Sequence, residues 1–318
     1  MNYQPQQSLQ LAQQRAKMLA QIRQFFTNKS ILEVNTPILS NAGNTDTFID
    51  SVSANFHQAG KAVTGYLHTS PEFAMKRLLA TWQVPIYQLC QVFRDNERGS
   101  RHNIEFTMLE WYRPNFDLDA LADELGELIG IIFDKKIQFK RLTYKESFAS
   151  LGIHPFTSSI DELQQCASSH DIMLDMGDDR QGWLDLLFSH LIEPNLGKDL
   201  PTLLTDYPPA TAALAKTVHD DDGHLVAKRF ELYIDGLEIA NAYDELADGK
   251  ELLARFHADN AERSKLGRPI MPIDLNLIHA CDNLPACSGI ALGIDRLFMV
   301  SQKLTDIKHA IAITTDHA

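Results

Sequence analysis

Near residue 235 the chain has little conformational choice. "KRFELYI" (228–234) and "LEIANAY" (237–243) are apolar-rich runs separated only by Asp235-Gly236. A two-residue Asp-Gly connection supplies the positive-φ backbone that matches the twist of an antiparallel pair, so this segment is predicted as a β-hairpin. "PTLLTDY" (201–207) reads as a third strand beside it. An antiparallel sheet is therefore the frame into which the other segments must fit.

Further strands are expected at 64–67, 83–93, 105–112 and in "GIALG" (289–293). "ILEVNTPILS" (31–40) is strand-like, but Pro37 keeps it at an edge, boundary or bulge. Helices are predicted over 8–29, from Glu72 behind a Ser70 N-cap with Pro71 at N1, over 117–133 and 244–267, and after Gly293. Residues 140–200 read only as short helical pieces and turns. Hairpins and interspersed helices, with no repeat or linker-like tract, give an α+β fold: a mostly antiparallel sheet flanked by helices, in one domain spanning 1–318.

Composition narrows function. The 318 residues carry a net charge of −13, and the longest charge run, "HDDDGH" (219–224), is acidic. General nucleic-acid binding, which needs a basic stripe, is disfavoured. No run approaches the ~18 apolar residues of a membrane helix, and the Gln-rich start lacks a signal-peptide core. A cytoplasmic protein is expected. The four cysteines are expected to be reduced thiols, since Cys281, Cys287 and His279 fit no zinc spacing.

Strand parity then groups side chains. Along 105–112, Phe106, Met108, Glu110 and Tyr112 share one face, and Glu105, Thr107, Leu109 and Trp111 the other. A ring, a carboxylate and a phenol together suit a pocket, although a solvated amphipathic strand has the same pattern. In the Asp-Gly hairpin, Glu231 and Glu238 can approach across the pair, and paired carboxylates need a cation between them, Mg²⁺ with phosphates being one answer. An exposed strand face remains the other. Arg296 falls in the first turn of the last helix, where a cation is unfavourable unless it is paired or held for an anion.

These segments together resemble the three motifs of class II aminoacyl-tRNA synthetases. "ILEVNTPIL" is similar to the proline-bearing dimer motif (31–40), "FRDNERGSRHNIEFTMLEWYR" to the strand-loop-strand ATP motif (93–113), and "GIALGIDRL" to the closing arginine motif (289–299). "TSPE" (69–72), "RHNIEFTMLEWY" and "LEIANAYDEL" resemble the lysyl-tRNA synthetase branch. About thirty residues precede "ILEVNTP", too few for the anticodon-binding OB-fold. Ala291 replaces a motif glycine, and "EWYRP" resembles the truncated paralogues that attach lysine to elongation factor P. One register differs: the family's Arg-x-Glu reads here as Arg94-Asp95-Asn96, with Glu97 one place later.

The resemblance implies an ATP-dependent enzyme that forms an adenylate of (R)-β-lysine or lysine and transfers it to a lysine of elongation factor P. It also implies a homodimer, with no tRNA and no membrane partner. A minimal lysyl-tRNA synthetase and a non-catalytic lysine or ATP sensor are the alternatives. By the same resemblance, Arg94 and Arg296 are the catalytic cations. Asp95, Asn96, His102, Asn103, Phe106, Glu238, Ile239 and Gly293 line ATP with them. Glu231 and Glu238 hold Mg²⁺. Ser70, Pro71, Glu72, Tyr112, Asn241, Glu245 and Ala291 border the amino acid.

Overall fold

The computed structural model describes residues 3–212 and 214–318. Expected from its length as one domain, the chain divides into two compact units, Met1–Lys135 with Glu245–Ala318, and Lys136–Asp244.

The first unit opens with α1 (Leu9–Asn28), whose first turn is capped by the Ser8 hydroxyl. The strand-like run around Pro37 survives only as two-residue pieces, β1 (Leu32–Glu33) and β2 (Leu39–Ser40). Proline has no N–H to give a ladder, so the run breaks around it. A small sheet follows, in which β4 (Lys61–Leu67) lies between β2 and β3 (Ser53–Gln58). The helix α2 (Glu72–Trp82) then leads to β5 (Ile86–Phe93), β6 (Glu105–Pro114) and α3 (Leu118–Phe133). β5 runs antiparallel to β6 and parallel to β1.

Within the second unit, β7 (Lys140–Thr143) precedes α4 (Tyr144–Ser147), α5 (Ile160–Ser169) and α6 (Arg180–Leu187). These helices fill the stretch that sequence periodicity left open. Two of them start on capping boxes, at Thr143/Glu146 and Ser159/Glu162. Strands β8 (Thr202–Tyr207), β9 (Thr217–His219), β10 (Leu225–Ile234) and β11 (Leu237–Asp244) complete the unit. β10 pairs antiparallel with β8, β9 and β11, while β7 lies parallel to β8. The Asp-Gly hairpin forms as expected, with φ of 53° at Asp235 and 72° at Gly236.

The chain re-enters the first unit through α7 (Gly249–Lys265), capped by Asp248, and α8 (Leu275–Cys281), which the periodicity did not reveal. β12 (Cys287–Gly293) pairs antiparallel with β6, and Gly293 is the N-cap of α9 (Ile294–Gln302).

The two faces of β6 separate as parity requires. Thr107, Leu109 and Trp111 are buried, and Phe26 of α1 lies edge-on to Trp111 and stacks on Tyr87. The Trp111 indole donates to Glu124 of α3, and Asp295 of α9 accepts from the Thr107 backbone and from Arg15. Burying such rings stabilises by about 1.5–3 kcal/mol each. That packing fixes the strand and turns Phe106, Glu110 and Tyr112 toward the other side.

Candidate active site

Three elements of the first unit converge on Glu110. It lies in β6, opposite Gln88 of β5 and Ala291 of β12. The Ser70 hydroxyl, from the turn before α2, donates to one carboxylate oxygen at 2.6 Å. The Tyr112 hydroxyl, two residues along the strand, donates to the other at 2.6 Å. Glu110 is 2% exposed, and burial together with the nearby charge of Glu72 pushes its carboxyl up to about 8. The hydrogen bonds from Ser70 and Tyr112 and the charge of Lys76 act in the opposite direction. Glu110 is absent from the residues expected to bind the amino acid, yet it is the hub of this cluster.

Ser70 does not cap α2 as expected. Pro71 occupies the N-cap, and Ser70 Oγ accepts from the Glu72 N–H while donating to Glu110. The hydroxyl thus ties the helix start to the carboxylate. Four residues into α2, Lys76 is 2% exposed, with its ammonium 2.7 Å from Glu72 and 2.6 Å from Glu245. Glu72 and Glu245, both expected to border the amino acid, share one ammonium and form an acidic wall with Glu110.

Backbone pairing positions Glu245, whose N–H donates to the Cys287 carbonyl. A Cβ at Gly289 would stand 2.3 Å from Glu245 Oε1 and 2.4 Å from Tyr112 Cε1, so only glycine admits both side chains there. Gly289 lies opposite Tyr112 on the ladder, and Ala291 lies opposite Glu110. The Ala291 methyl therefore borders the hub carboxylate on the same sheet face.

The nucleotide-side residues are arranged differently. Arg94 lies over the Phe106 ring, 5.3 Å from its centroid, and its Nη1 is 3.6 Å from Glu97. Its Nε is buried and has no hydrogen-bond partner among the described residues. That orphaned donor fits an anion such as a phosphate or carboxylate. His102 accepts from Arg296 at 2.5 Å; burial and then the Arg296 charge hold its imidazole below the ordinary range, hence neutral. Arg296 also donates to the Arg101 carbonyl. Asp95 and Asn96 are exposed; the Asn96 N–H donates to the Asp95 carboxylate, and Asn96 has a φ of 60°. Asn103 is buried and engaged with backbone, donating to the Glu105 carbonyl and accepting from the Thr315 N–H. A role for Asn103 in holding the base would have to displace those bonds.

The second unit contains Glu231, Glu238, Ile239 and Asn241. A bulge shifts the register after Tyr233↔Glu238, so that Glu231 pairs with Asn241. Glu231 is 6% exposed and accepts from the hydroxyls of Tyr207 and Tyr233 and from the guanidinium of Arg229. Burial pushes its carboxyl up, Arg229 pulls it down, and Glu238 pushes it up again. A carboxylate already matched with a guanidinium and two hydroxyls is a poor cation ligand, so the Glu231 part of the expected Mg²⁺ pair does not fit. The Asn241 side chain accepts from Arg229 and donates to the Tyr243 hydroxyl. Glu238 is half-buried, and Ile239 is buried.

Comparison with known proteins now decides the family. The model for class II tRNA synthetases (D, K and N) matches residues 1–316. The chain belongs to this family. Within the family it groups with proteins named "Elongation factor P--(R)-beta-lysine ligase". The Pasteurella multocida relative is 43% identical, the alignment covering 100% of this chain and 98% of the relative. The Actinobacillus succinogenes relative is 42% identical over 99% of this chain and 98% of its own length. The Haemophilus ducreyi relative is 41% identical over 100% and 97%. The expected class II-like α+β fold holds.

Proposed function

We propose that the chain is an ATP-dependent, AMP-forming ligase that activates (R)-β-lysine or lysine and transfers it to a lysine side chain of translation elongation factor P. The observation that carries this reading is the Glu72–Glu110–Glu245 wall, suited to a substrate bearing ammonium groups, in a chain matched end to end by proteins with that name.

In the first step, an oxygen of the substrate carboxylate bonds to the α-phosphorus of ATP while pyrophosphate departs. Two anions must meet, so neutralisation and alignment supply most of the catalysis. Arg94 serves both anions: its planar donor set is suited to bidentate contact, and its Nε has no competing partner among the described residues. Arg296, oriented by neutral His102, takes the nucleotide side, and Phe106 offers a ring face to adenine. In the second step, the acceptor amine bonds to the adenylate carbonyl carbon, AMP leaves, and the amine loses a proton. Glu110, Tyr112 and Glu245 hold the substrate ammonium throughout, and a buried carboxylate discriminates against a neutral side chain left opposite it. A divalent cation would offset phosphate charge, with Glu238 as a ligand.

The protein works in the cytoplasm as a homodimer on this reading. Leu32, Ile38 and Leu39 in the dimer-motif segment are exposed apolar residues, and no described helix is long and apolar enough to cross a membrane. Mass spectrometry of elongation factor P incubated with the enzyme, ATP and (R)-β-lysine tests the proposal. The expected result is a mass gain of one lysyl group. An unmodified factor alongside charged tRNA would instead favour the minimal-synthetase alternative.

A further inference from the structure

The acidic wall has a built-in partner that the chemistry above does not use. Lys76 approaches Glu72 Oε1 and Glu245 Oε2 with a single ammonium. The other Glu245 oxygen lies beside Gly289 and Tyr112, on the side where Glu110 stands. Lys76 therefore holds one oxygen of Glu245 on one side while the second is presented toward Glu110.

Charge bookkeeping over these residues gives the inference. Three carboxylates, Glu72, Glu110 and Glu245, meet one resident ammonium. Fully ionised, the cluster lacks two positive charges. Building on the ligase reading above, we propose that Lys76 is a specificity-determining positioning residue. Its buried ammonium fixes Glu72 and Glu245 and sets the cluster's charge deficit at two, the number that a diammonium amino acid supplies. A substrate with one ammonium leaves a buried carboxylate unmatched, which is the costly outcome.

The groups facing Lys76 support this ledger. They are Glu72 on its own helix, Glu110 on β6, Glu245 after β11, and Cys281 on α8. Burial works against the Lys76 charge, but Glu245 and then Glu72 hold its ammonium well above the ordinary range, so it stays protonated. Glu110, with no such contact, holds a proton below about pH 8. A diammonium entering at neutral pH must expel that proton.

Calorimetric titration of lysine in buffers of different ionisation enthalpy reads this count directly. Wild type is expected to release about one proton at pH 7 as Glu110 ionises. Lys76→Met leaves Glu72 and Glu245 adjacent without their cation, so they retain a proton of their own. The two ammoniums of lysine then match only two of the three carboxylates, so about one proton is again released, one is retained in the complex, and lysine is expected to bind at least tenfold more weakly. Lys76→Arg, which keeps the resident cation, should restore wild-type affinity with no proton retained. A Lys76→Met protein with unchanged melting temperature and wild-type affinity would overturn the assignment. So would Lys76→Arg behaving like Lys76→Met. If Lys76→Met does not fold, Lys76→Arg carries the test: it must bind lysine as wild type does and release about one proton, and a tenfold loss of affinity in a protein of unchanged melting temperature overturns the assignment. Lysine-dependent pyrophosphate exchange by wild type is measured in parallel. Lysine binding without exchange would sink the ligase reading while leaving the charge assignment intact.

Discussion

Glu110 and Glu231 are the same device put to opposite uses. Each is a buried strand carboxylate that accepts from two hydroxyls, one belonging to the tyrosine two residues further along its own strand. Glu231 also contacts the guanidinium of Arg229, whereas Lys76, whose charge acts on Glu110, is bound to two other carboxylates. The second unit closes its charge internally. The first leaves a carboxylate that is most comfortable protonated until a cation arrives. Chemistry at the residue itself therefore does not mark a binding site; the presence or absence of a resident counter-ion does.

The largest expected effect would test the closed half of that comparison. Arg229 is held in its charged form by Glu231 against a burial that works the other way, and it also engages Asn241 and the Thr211 carbonyl. Removing one partner of a buried pair costs about 3–5 kcal/mol. Arg229→Met should lower the urea midpoint accordingly. A midpoint shift corresponding to less than about 1 kcal/mol would mean that Glu231 is satisfied without its arginine, and the contrast with Glu110 would collapse.

Glu110→Gln should do the reverse, sparing stability and removing function. Loss of one charge-assisted contact to a buried ammonium costs about 2–5 kcal/mol, or roughly 30- to several-thousand-fold in kcat/KM for lysine-dependent pyrophosphate exchange. The sign of its pH effect follows from the raised carboxyl. Between its ordinary value of 4.5 and about 8, the folded protein holds a proton that the unfolded chain has lost. Wild-type stability therefore falls as pH rises through that window and levels off above it, and Glu110→Gln should remove this component. Thermal melts of the two proteins from pH 5 to 9 should diverge progressively. Parallel curves would show that Glu110 is ionised in the empty site.

This pair of residues also shows how far the sequence could be read. Parity placed Glu110 on one face with Phe106 and Tyr112, and the structure keeps them there because Trp111 and Thr107 are anchored on the opposite side. In the Asp-Gly hairpin parity is interrupted beyond Glu238. A bulge near Ile239 brings Asn241 onto the face of Glu231, so Glu238 and Asn241 share a face although they are three residues apart. An extra strand residue leaves no local signature in composition, but Glu231 and Glu238 stay on one face and close enough for Glu238 to raise the Glu231 carboxyl; what the sequence hid is that Arg229 and two tyrosine hydroxyls already occupy Glu231. Lys76 was hidden for a different reason. Glu72 and Lys76 four residues apart on a helix look like a surface ion pair, and only the approach of Glu245 from far along the chain makes the lysine internal. The stretch from 140 to 200 was unreadable because its helices are short and begin on side-chain caps rather than on long apolar periods.

The smallest expected effect sharpens the contrast within the pocket. Ala291 pairs with Glu110 across the β6–β12 ladder, and Gly289, one step along the same face, has no room for a side chain. The methyl of Ala291 thus occupies volume beside the carboxylate proposed to receive the substrate ammonium. Removing it enlarges the pocket by one methyl group without altering its charge, a change that is worth about 1–3 kcal/mol of discrimination between closely related substrates. Ala291→Gly should therefore shift the ratio of kcat/KM for α-lysine over (R)-β-lysine upward by about tenfold or more, while proton release on binding stays at the wild-type value. The two readouts separate shape from charge. If the isomer ratio is unchanged, the methyl does not touch the substrate. If proton release moves as well, Ala291 acts by repositioning Glu110, and the charge balance of the pocket depends on the β12 backbone as much as on Lys76.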